Sequence, residues 1–185
     1  MNYAEWIKSD GNQYIILPYK PNQNTRIVCK CQIDTISSGG SFPFGVRTNA
    51  NSQAFTVAWT TSQVFFNYNN TYQFVNHANL YEVMTIDANK NKATFTGATT
   101  TTITIAAGTF TCAYDLTLFA LNQGGTILTG ENGFKGKAWS YRIYESDVLL
   151  YDLWPCYDPD GVACLYDKVT ETYFYNAGTG SFVAG

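Results

Sequence analysis

Hydrophobic and polar residues alternate in short runs along this chain, and clusters of Gly, Pro and Asn separate the runs. A period of two places successive side chains on opposite faces of an extended strand, whereas a helix has a period of about 3.6. No window supports a helix longer than about two turns. Strands are predicted over residues 12–19, 25–33, 42–48, 54–61, 63–69, 81–88, 92–97, 100–107, 112–122, 137–146, 147–156, 161–167 and 171–178. The chain is therefore predicted to be all-β.

The alternation also indicates which face of a strand is buried. In 54–60, Phe55, Val57 and Trp59 lie on one side, and alanines and threonines lie on the other. Isoleucine and threonine alternate in the same way over 100–105. One apolar and one polar face per strand is typical of antiparallel sheets packed face to face, so we predict a two-sheet antiparallel β-sandwich. The polar face of 54–60 is either solvated surface or a flat surface that accepts a ligand.

The C-terminal stretch WPCYDPDGVACLYDKVTETYFYNAGTGSFVAG (154–185) combines turn signals with acidic residues. Pro159 suits the second position of a turn, and Gly161 can take positive φ. A second turn signal, DKVTE, follows shortly afterwards. The stretch is therefore predicted to form a pair of hairpins.

The alternative for this stretch is a calcium site, with three aspartates as ligands: Asp158, Asp160 and Asp167. A loop of the EF-hand type needs regularly spaced oxygen ligands and a distal Glu, and the Asp-Pro-Asp-Gly sequence has no such continuation. We therefore predict no metal and no cofactor, with calcium as the alternative.

The length and charge of the chain narrow its class. With 185 residues and no repeat or linker, it is predicted to be a single domain over 1–185. Only 14% of its residues are charged, the net charge is −3, and there is no basic cluster, so a nucleic-acid partner is not expected. The N-terminal residues lack the pattern of a secretory signal, and no apolar run approaches the roughly 18 residues of a membrane span. We expect neither export by that route nor membrane insertion.

The five cysteines are an odd number. Cys29 and Cys31 lie two apart on one face of a predicted strand, which is poor geometry for a bond between them. Cys156 and Cys164 flank a turn and could approach each other across a hairpin. We expect all five to be reduced, as assembly in a cytoplasm would leave them.

The segment FFNYNNTYQFVNHANLY (65–81) mixes aromatic rings with amide side chains. The C–H faces of sugars stack on aromatic rings, and their hydroxyls pair with amides and with arginine. The predicted ligand-binding residues of this segment are Asn67, Tyr68, Asn70, Tyr72 and His77. The alternative is an ordinary hairpin with half-buried aromatics.

Arg47 is the sixth predicted binding residue. It stands in an otherwise apolar strand, FGVRT (44–48). It either projects towards a ligand or pairs with a carboxylate such as Asp115, and the sequence leaves both open.

Catalytic motifs are missing from the sequence. Retaining glycoside hydrolysis needs two carboxyl groups about 5–5.5 Å apart. Glu82 and Asp87, five positions apart, would lie on opposite faces of a strand, and Glu145 and Asp147 fall at a turn. There is one histidine and no Gly-x-Ser-x-Gly elbow. We predict that the chain is not an enzyme.

Two long segments resemble a known family. EWIKSDGNQYIILPYKPNQNTRI (5–27) is similar to the N-terminal signature of concanavalin A-like, laminin-G-like domains in phage structural proteins and proteins of gut bacteria. GKAWSYRIYESDVLLYDLWPCYDPDGVACLYDKVTETYFYNAGTGSF (136–182) is similar to the end of that domain, and FGVRT (44–48) and LTLFALNQGG (116–125) fit its middle. The chain departs from the signature at 16–18, where Ile-Leu-Pro replaces Asp-Thr-Gly. The resemblance implies a jelly roll of two stacked sheets.

The resemblance also implies a setting. We expect a non-catalytic protein on the virion surface of a phage or prophage, made in the bacterial host cytoplasm, that adheres to carbohydrate or another cell-surface ligand. Its other expected partners are virion proteins, and it could form a homo-oligomer. The alternative is a purely structural capsid-decoration or fibre-tip protein held by protein contacts. A glycoside hydrolase, also known on this fold, is a third alternative that the missing carboxylate motif disfavours.

Overall fold

The computed structural model describes residues 2–49 and 52–185, and these form two β-sheets. The larger sheet runs in the order β11-β10-β9-β4-β15-β16-β17-β18, with β1 beside β16, and β2 between β15 and β19. Its strands are β1 (Asn2–Tyr3), β2 (Ile7–Asp10), β4 (Thr25–Thr35), β9 (Met84–Asn89), β10 (Lys92–Thr96), β11 (Thr100–Thr104), β15 (Lys135–Glu145), β16 (Val148–Tyr157), β17 (Ala163–Asp167), β18 (Thr172–Phe174) and β19 (Val183–Ala184).

The smaller sheet runs in the order β14-β13-β5-β6-β7-β8, and β12 joins it between β3 and β5. Its strands are β3 (Ile15–Ile16), β5 (Ser41–Arg47), β6 (Ala54–Trp59), β7 (Gln63–Asn69), β8 (Thr71–Asn76), β12 (Thr117–Leu118), β13 (Leu121–Gln123) and β14 (Thr126–Leu128). Only the pairing of β13 with β5 is parallel among the strands described, and a three-residue 3₁₀ turn, Gly130–Asn132, is the one helical element there. The predicted antiparallel β-sandwich is confirmed.

The core lies between the two sheets, because each contributes its apolar face to it. Phe55, Val57 and Trp59 of β6 point into this core, as their alternation predicts. The sheets also meet through polar atoms: the hydroxyl of Tyr141 on β15 donates to the carbonyl oxygen of Pro43 on β5, 3.2 Å away. The ring centroids of Tyr141 and Phe119 are 5.5 Å apart in an edge-on contact. This packing leaves the outer face of each sheet for solvent or a ligand.

Turn chemistry at the C-terminal end follows the sequence prediction. The amide of Gly161 donates to the carbonyl of Asp158, 3.1 Å away, and Gly161 has φ +81°. This turn joins β16 to β17, and a second turn, in which Glu171 has φ +56°, joins β17 to β18. The predicted pair of hairpins is confirmed. Elsewhere, β8 and the short strands β1, β2, β14 and β19 were not predicted. The single strand predicted over 112–122 is wrong: β12 and β13 are separate strands, because Phe119 between them takes the left-handed conformation (φ 64°).

Among residues 2–49 and 52–185, no helix has the length and apolar character needed to cross a membrane.

Candidate functional site

The outer face of the smaller sheet carries a cleft of about 380 Å³, which we call the outer-face cleft. A tight turn creates its aromatic wall. Asn69 takes the left-handed conformation (φ 55°) at the end of β7, and the chain reverses into β8, as hairpin turns require. The resulting register sets Phe74 opposite Phe65 and Tyr72 opposite Asn67. Ten residues line the cleft: Ser38, Gly39, Gly40, Phe42, Arg47, Ala58, Thr60, Phe65, Tyr72 and Phe74.

Three aromatic rings pack together in this cleft. Phe65 is buried, and its ring centroid lies 4.7 Å from that of Phe74 and 5.8 Å from that of Tyr72. Phe74 and Tyr72, by contrast, are 44% and 45% exposed. Phe65 also belongs to a small apolar cluster with Phe42 and Ala58, separate from the main core. The buried ring therefore fixes two exposed rings at the cleft, where a ligand can stack on them.

Arg47, at the end of β5, supplies the cation of the cleft. The parallel pairing of β13 with β5 puts Gln123 next to it, and Nε of Arg47 donates to Oε1 of Gln123 over 2.8 Å. Nη2 donates to the same oxygen. Burial lowers the pKa of the Arg47 guanidinium, and no carboxylate in the described part of the chain forms an ion pair with it. The suggested partner Asp115 is not used, so the charge is held beside the cleft without being neutralised.

The rim of the cleft depends on glycine. Gly40 has φ +93°, a conformation that side chains rarely adopt, and a Cβ on Gly39 would stand 2.0 Å from Oδ1 of Asn132. Gly40 therefore permits a backbone conformation at this rim that a side chain would strain, whereas at Gly39 only the end of the Asn132 side chain would have to move. Substitution of Gly40 would strain the rim of the cleft.

The small residues of β6 form the floor of this face, but they are not the solvated surface that alternation predicts. Ala54, Thr56 and Ala58 are all buried. Phe65, opposite Ala58 on β7, packs against it. The small side chains of β6 leave a recess on this face, and the side chain of Phe65 fills part of it. The outer-face cleft lies beside the filled part.

The predicted binding residues fall in different places. Arg47 and Tyr72 line the cleft. Asn67 lies on the same face of β7 but is fully buried, with Thr56 and Tyr72 opposite it on the flanking strands. Asn70 is exposed at the β7–β8 turn, where its Oδ1 accepts from the backbone amide of Gln53.

Tyr68 is a core residue, which corrects the sequence prediction. It is 2% exposed, and its hydroxyl donates to the carbonyl of Gly108 over 3.1 Å. Its ring centroid lies 4.9 Å from that of Phe110 in an edge-on contact. Because Tyr68 follows Asn67 directly on a strand, the two side chains point to opposite faces, and Tyr68 points inward.

His77 is also a buried residue rather than a surface ligand contact. Its Nδ1 is 2.8 Å from the hydroxyl oxygen of Thr101, and its Nε2 is 3.7 Å from Oε1 of Glu82. Glu82 in turn accepts through Oε2 from the backbone amide of Ala98, 2.8 Å away. These contacts connect the segment after β8 to the β10–β11 hairpin, so His77 has a structural role.

The aspartates suggested for calcium serve as turn acceptors. Oδ1 of Asp158 accepts from the amides of Asp160 and Val162, over 3.0 and 2.8 Å. Asp167 is buried and accepts from the amides of Asp152 and Thr170. Across 2–49 and 52–185, no three histidine, cysteine, aspartate or glutamate side chains gather as metal ligands would.

Three tryptophan rings of the larger sheet already have cationic partners. Lysine ammonium groups lie 4.2 Å from the ring centroid of Trp6, 5.6 Å from that of Trp139 and 4.0 Å from that of Trp154. Such cation–π contacts cover the ring face that a ligand would use. No cation–π contact to Phe65, Tyr72 or Phe74 is found in the described part of the chain, so the exposed faces of Tyr72 and Phe74 stay open to a ligand. The tyrosine cluster of Tyr166, Tyr173 and Tyr175 on the larger sheet is open in the same way, but no arginine or lysine is among the described residues that line the pocket beside Tyr173.

Comparison with known proteins supports the fold. No protein-family model and no curated protein matches the chain. Among solved structures, the mouse laminin alpha1 chain, domains LG4-5, is similar, with 15% sequence identity and a TM-score of 0.51. The match covers 81% of this chain and 45% of the laminin chain. The laminin-G-like, concanavalin A-like jelly roll expected from the sequence is therefore confirmed as the fold.

Sequence reasoning missed three aromatic residues of the cleft, Phe42, Phe65 and Phe74. Strand parity could have found two of them. Phe65 shares a face with Asn67, which lies two positions along β7, and the β7–β8 turn then pairs Phe74 with Phe65. Phe42 gave no such signal, because the register of β5 against β6 shifts between Ser41 and Phe44.

Proposed function

We propose that this chain is a non-catalytic binding domain that holds carbohydrate in the outer-face cleft. The observation that carries the proposal is the pair of exposed rings, Tyr72 and Phe74, fixed on Phe65 at a cleft that also holds the charge of Arg47. Sugar rings present C–H faces to aromatic rings and hydroxyl oxygens to N–H donors. Such a cleft offers both kinds of contact side by side.

The polar groups of the cleft suit binding rather than chemistry. Its lining contains one guanidinium, the hydroxyls of Ser38, Thr60 and Tyr72, and backbone groups, with no carboxylate, imidazole, thiol or amine. Glycoside hydrolysis in most families needs a pair of carboxyl groups flanking the scissile bond, and the residues described as lining the cleft supply none. A volume of about 380 Å³ lies within the range of small-molecule sites.

We propose further that the domain acts on the surface of a phage or prophage virion, beside other virion proteins, and contacts the host cell. The support for this setting is the sequence resemblance of 5–27 and 136–182. Mass spectrometry of purified particles from a strain that carries the gene tests it. We expect the chain among the virion proteins, and particles without the chain would contradict the setting while leaving carbohydrate binding open.

A glycan array with the purified chain tests the binding proposal. The wild type should bind a restricted set of glycans, and a Tyr72→Ala/Phe74→Ala variant should lose them. Tyr3→Ala is the matched control, because Tyr3 is 50% exposed on β1 of the other sheet. A wild-type chain that binds no glycan would overturn the proposal and favour the purely structural alternative.

A further inference from the structure

Two cysteines face each other across the first C-terminal hairpin. Cys156 of β16 is the direct antiparallel partner of Cys164 of β17, and their Sγ atoms are 3.5 Å apart. The turn from Asp158 to Gly161 holds this register. Both thiols are free and buried in the structure.

The geometry of this pair suits a covalent bond. Directly opposite residues of antiparallel strands have Cα atoms about 4.5–5.5 Å apart, inside the range of about 4.4–6.8 Å found for disulfides. A sulfur–sulfur bond is about 2.0 Å long, so small side-chain rotations would bring the two sulfurs together.

The other three cysteines do not share this cross-strand geometry. Cys29 and Cys31 lie two apart on one strand with parallel side chains, so their Cβ atoms are about 6.6 Å apart, beyond the roughly 3.5–4.5 Å of a disulfide. The thiol of Cys112 donates to the backbone carbonyl of Gln53, 3.0 Å away. The hairpin pair is therefore the one place in the described chain where oxidation fits the existing backbone.

We propose that Cys156 and Cys164 are a disulfide site that clamps the β16–β17 hairpin whenever the chain folds under oxidising conditions. This goes beyond carbohydrate binding and does not depend on it. The oxidant is a small disulfide such as oxidised glutathione. One thiolate attacks it and releases one small thiol; the second thiolate attacks the mixed disulfide and releases the other. Two protein thiols thus lose two electrons and two protons, and one small disulfide becomes two thiols.

Burial determines when this reaction is fast. Desolvation raises the pKa of both thiols, and the thiolate is the species that attacks. Strand β1 also flanks the pair in the sheet, because Tyr3 is the antiparallel partner of Cys156 on the side away from β17. Oxidation should therefore be rapid during folding, before the pair is buried, and slow in the folded protein, where it needs local opening.

Refolding of the full chain in a glutathione redox buffer, against refolding with a reductant, tests the proposal. After denaturation and alkylation, the oxidised sample should carry three alkylated cysteines of the five, and peptide mapping should give a Cys156–Cys164 link. Its melting temperature should be about 5 °C higher than that of the reduced sample, since a disulfide restricts the unfolded chain.

Two cysteine variants distinguish the Cys156–Cys164 disulfide from disulfides that involve other cysteines. Cys112→Ser should still form the link, and Cys156→Ser should keep all its remaining thiols alkylated. Because the oxidised and reduced wild types are compared directly, the test does not depend on a variant that folds. Five alkylated cysteines after oxidative refolding, or a link that uses Cys29, Cys31 or Cys112, would overturn the site. A Cys156–Cys164 disulfide that forms without raising the melting temperature would show that the bond does not stabilise the hairpin.

Discussion

The guanidinium of Arg47 is oriented by a neutral acceptor, Oε1 of Gln123, which lies 2.8 Å from its Nε and 2.5 Å from its Nη2. An amide oxygen orients the guanidinium but does not neutralise its positive charge. The third nitrogen, Nη1, has no hydrogen-bond partner among residues 2–49 and 52–185. An oriented donor beside two exposed rings is what a polar, ring-shaped ligand requires.

Arg47→Met should therefore weaken glycan binding and leave the fold in place. A hydrogen bond to a charged group contributes about 1.5–3 kcal/mol, so we expect Kd to rise about 10- to 100-fold. Calorimetric titration with the best glycan from the array measures this. Arg142→Met, on the exposed face of β15, is the control and should bind as the wild type does. An unchanged affinity in Arg47→Met would show that the guanidinium does not contact the glycan.

Tyr68→Phe should lower stability without changing affinity. The variant loses the hydrogen bond to the carbonyl of Gly108, and this costs about 0.5–1.5 kcal/mol in the free energy of unfolding. Denaturant unfolding measures the loss. Tyr72→Phe provides the comparison, because its exposed hydroxyl makes no hydrogen bond in the described structure, and its stability should stay at the wild-type value. A drop in affinity but not in stability for Tyr68→Phe would show that the core placement is wrong.

The contact between His77 and Thr101 should appear as an energetic coupling. His77→Ala removes a buried side chain, its hydrogen bond to the half-buried hydroxyl of Thr101 and its contact with Glu82, and we expect a loss of about 1–3 kcal/mol in stability. Thr101→Val and the double variant complete the cycle, with an expected coupling of at least about 0.5 kcal/mol. Purely additive losses, or loss of glycan binding without loss of stability, would argue against a structural role for His77.

The Asp158 turn should contribute to the acid limit of stability. The amide of Val162 and the hydroxyl of Tyr175 help to lower the pKa of this carboxyl below its ordinary 3.8. A lowered pKa in the folded state means that the stabilisation is complete above pH 3.8 and disappears as the pH falls through the lowered value. Melting temperature measured from pH 5 to about pH 2 should fall less steeply in Asp158→Asn than in the wild type.

Asp160→Asn is the matched control for that series, because Asp160 is exposed in the same turn and its carboxylate accepts no hydrogen bond among the described residues. Its profile should follow the wild type. If Asp158→Asn also follows the wild type, the carboxylate does not stabilise the turn.

The sequence predicted the fold well, because the alternation that defines a strand face is a local property. Phe55, Val57 and Trp59 could be assigned to the core from β6 alone. The turn at 158–161 was equally local, since Pro159 and Gly161 carry its conformational preferences. The short edge strands β1, β2 and β19 were missed because their pairing depends on distant partners rather than on their own pattern.

The site could be predicted only in part, because it depends on which strands become neighbours. Asn67 and Tyr68 could not both face one ligand, since adjacent strand residues point to opposite sides. The alternation of side chains therefore excluded a site that contains both residues, although it did not show which of the two points into the core. The position of Gln123 beside Arg47 arises from the parallel β13–β5 pairing, which no local pattern indicates.

Calorimetric titration of three chains with the best array glycan, with and without calcium, tests the central claim most directly. The chains are the wild type, Tyr72→Ala/Phe74→Ala and Tyr3→Ala. We predict binding by the wild type and Tyr3→Ala with equal affinity in both buffers, and a Kd at least about tenfold higher in the double variant, a loss of about 1.4 kcal/mol. Equal affinity in all three chains would contradict the assignment of carbohydrate binding to the outer-face cleft.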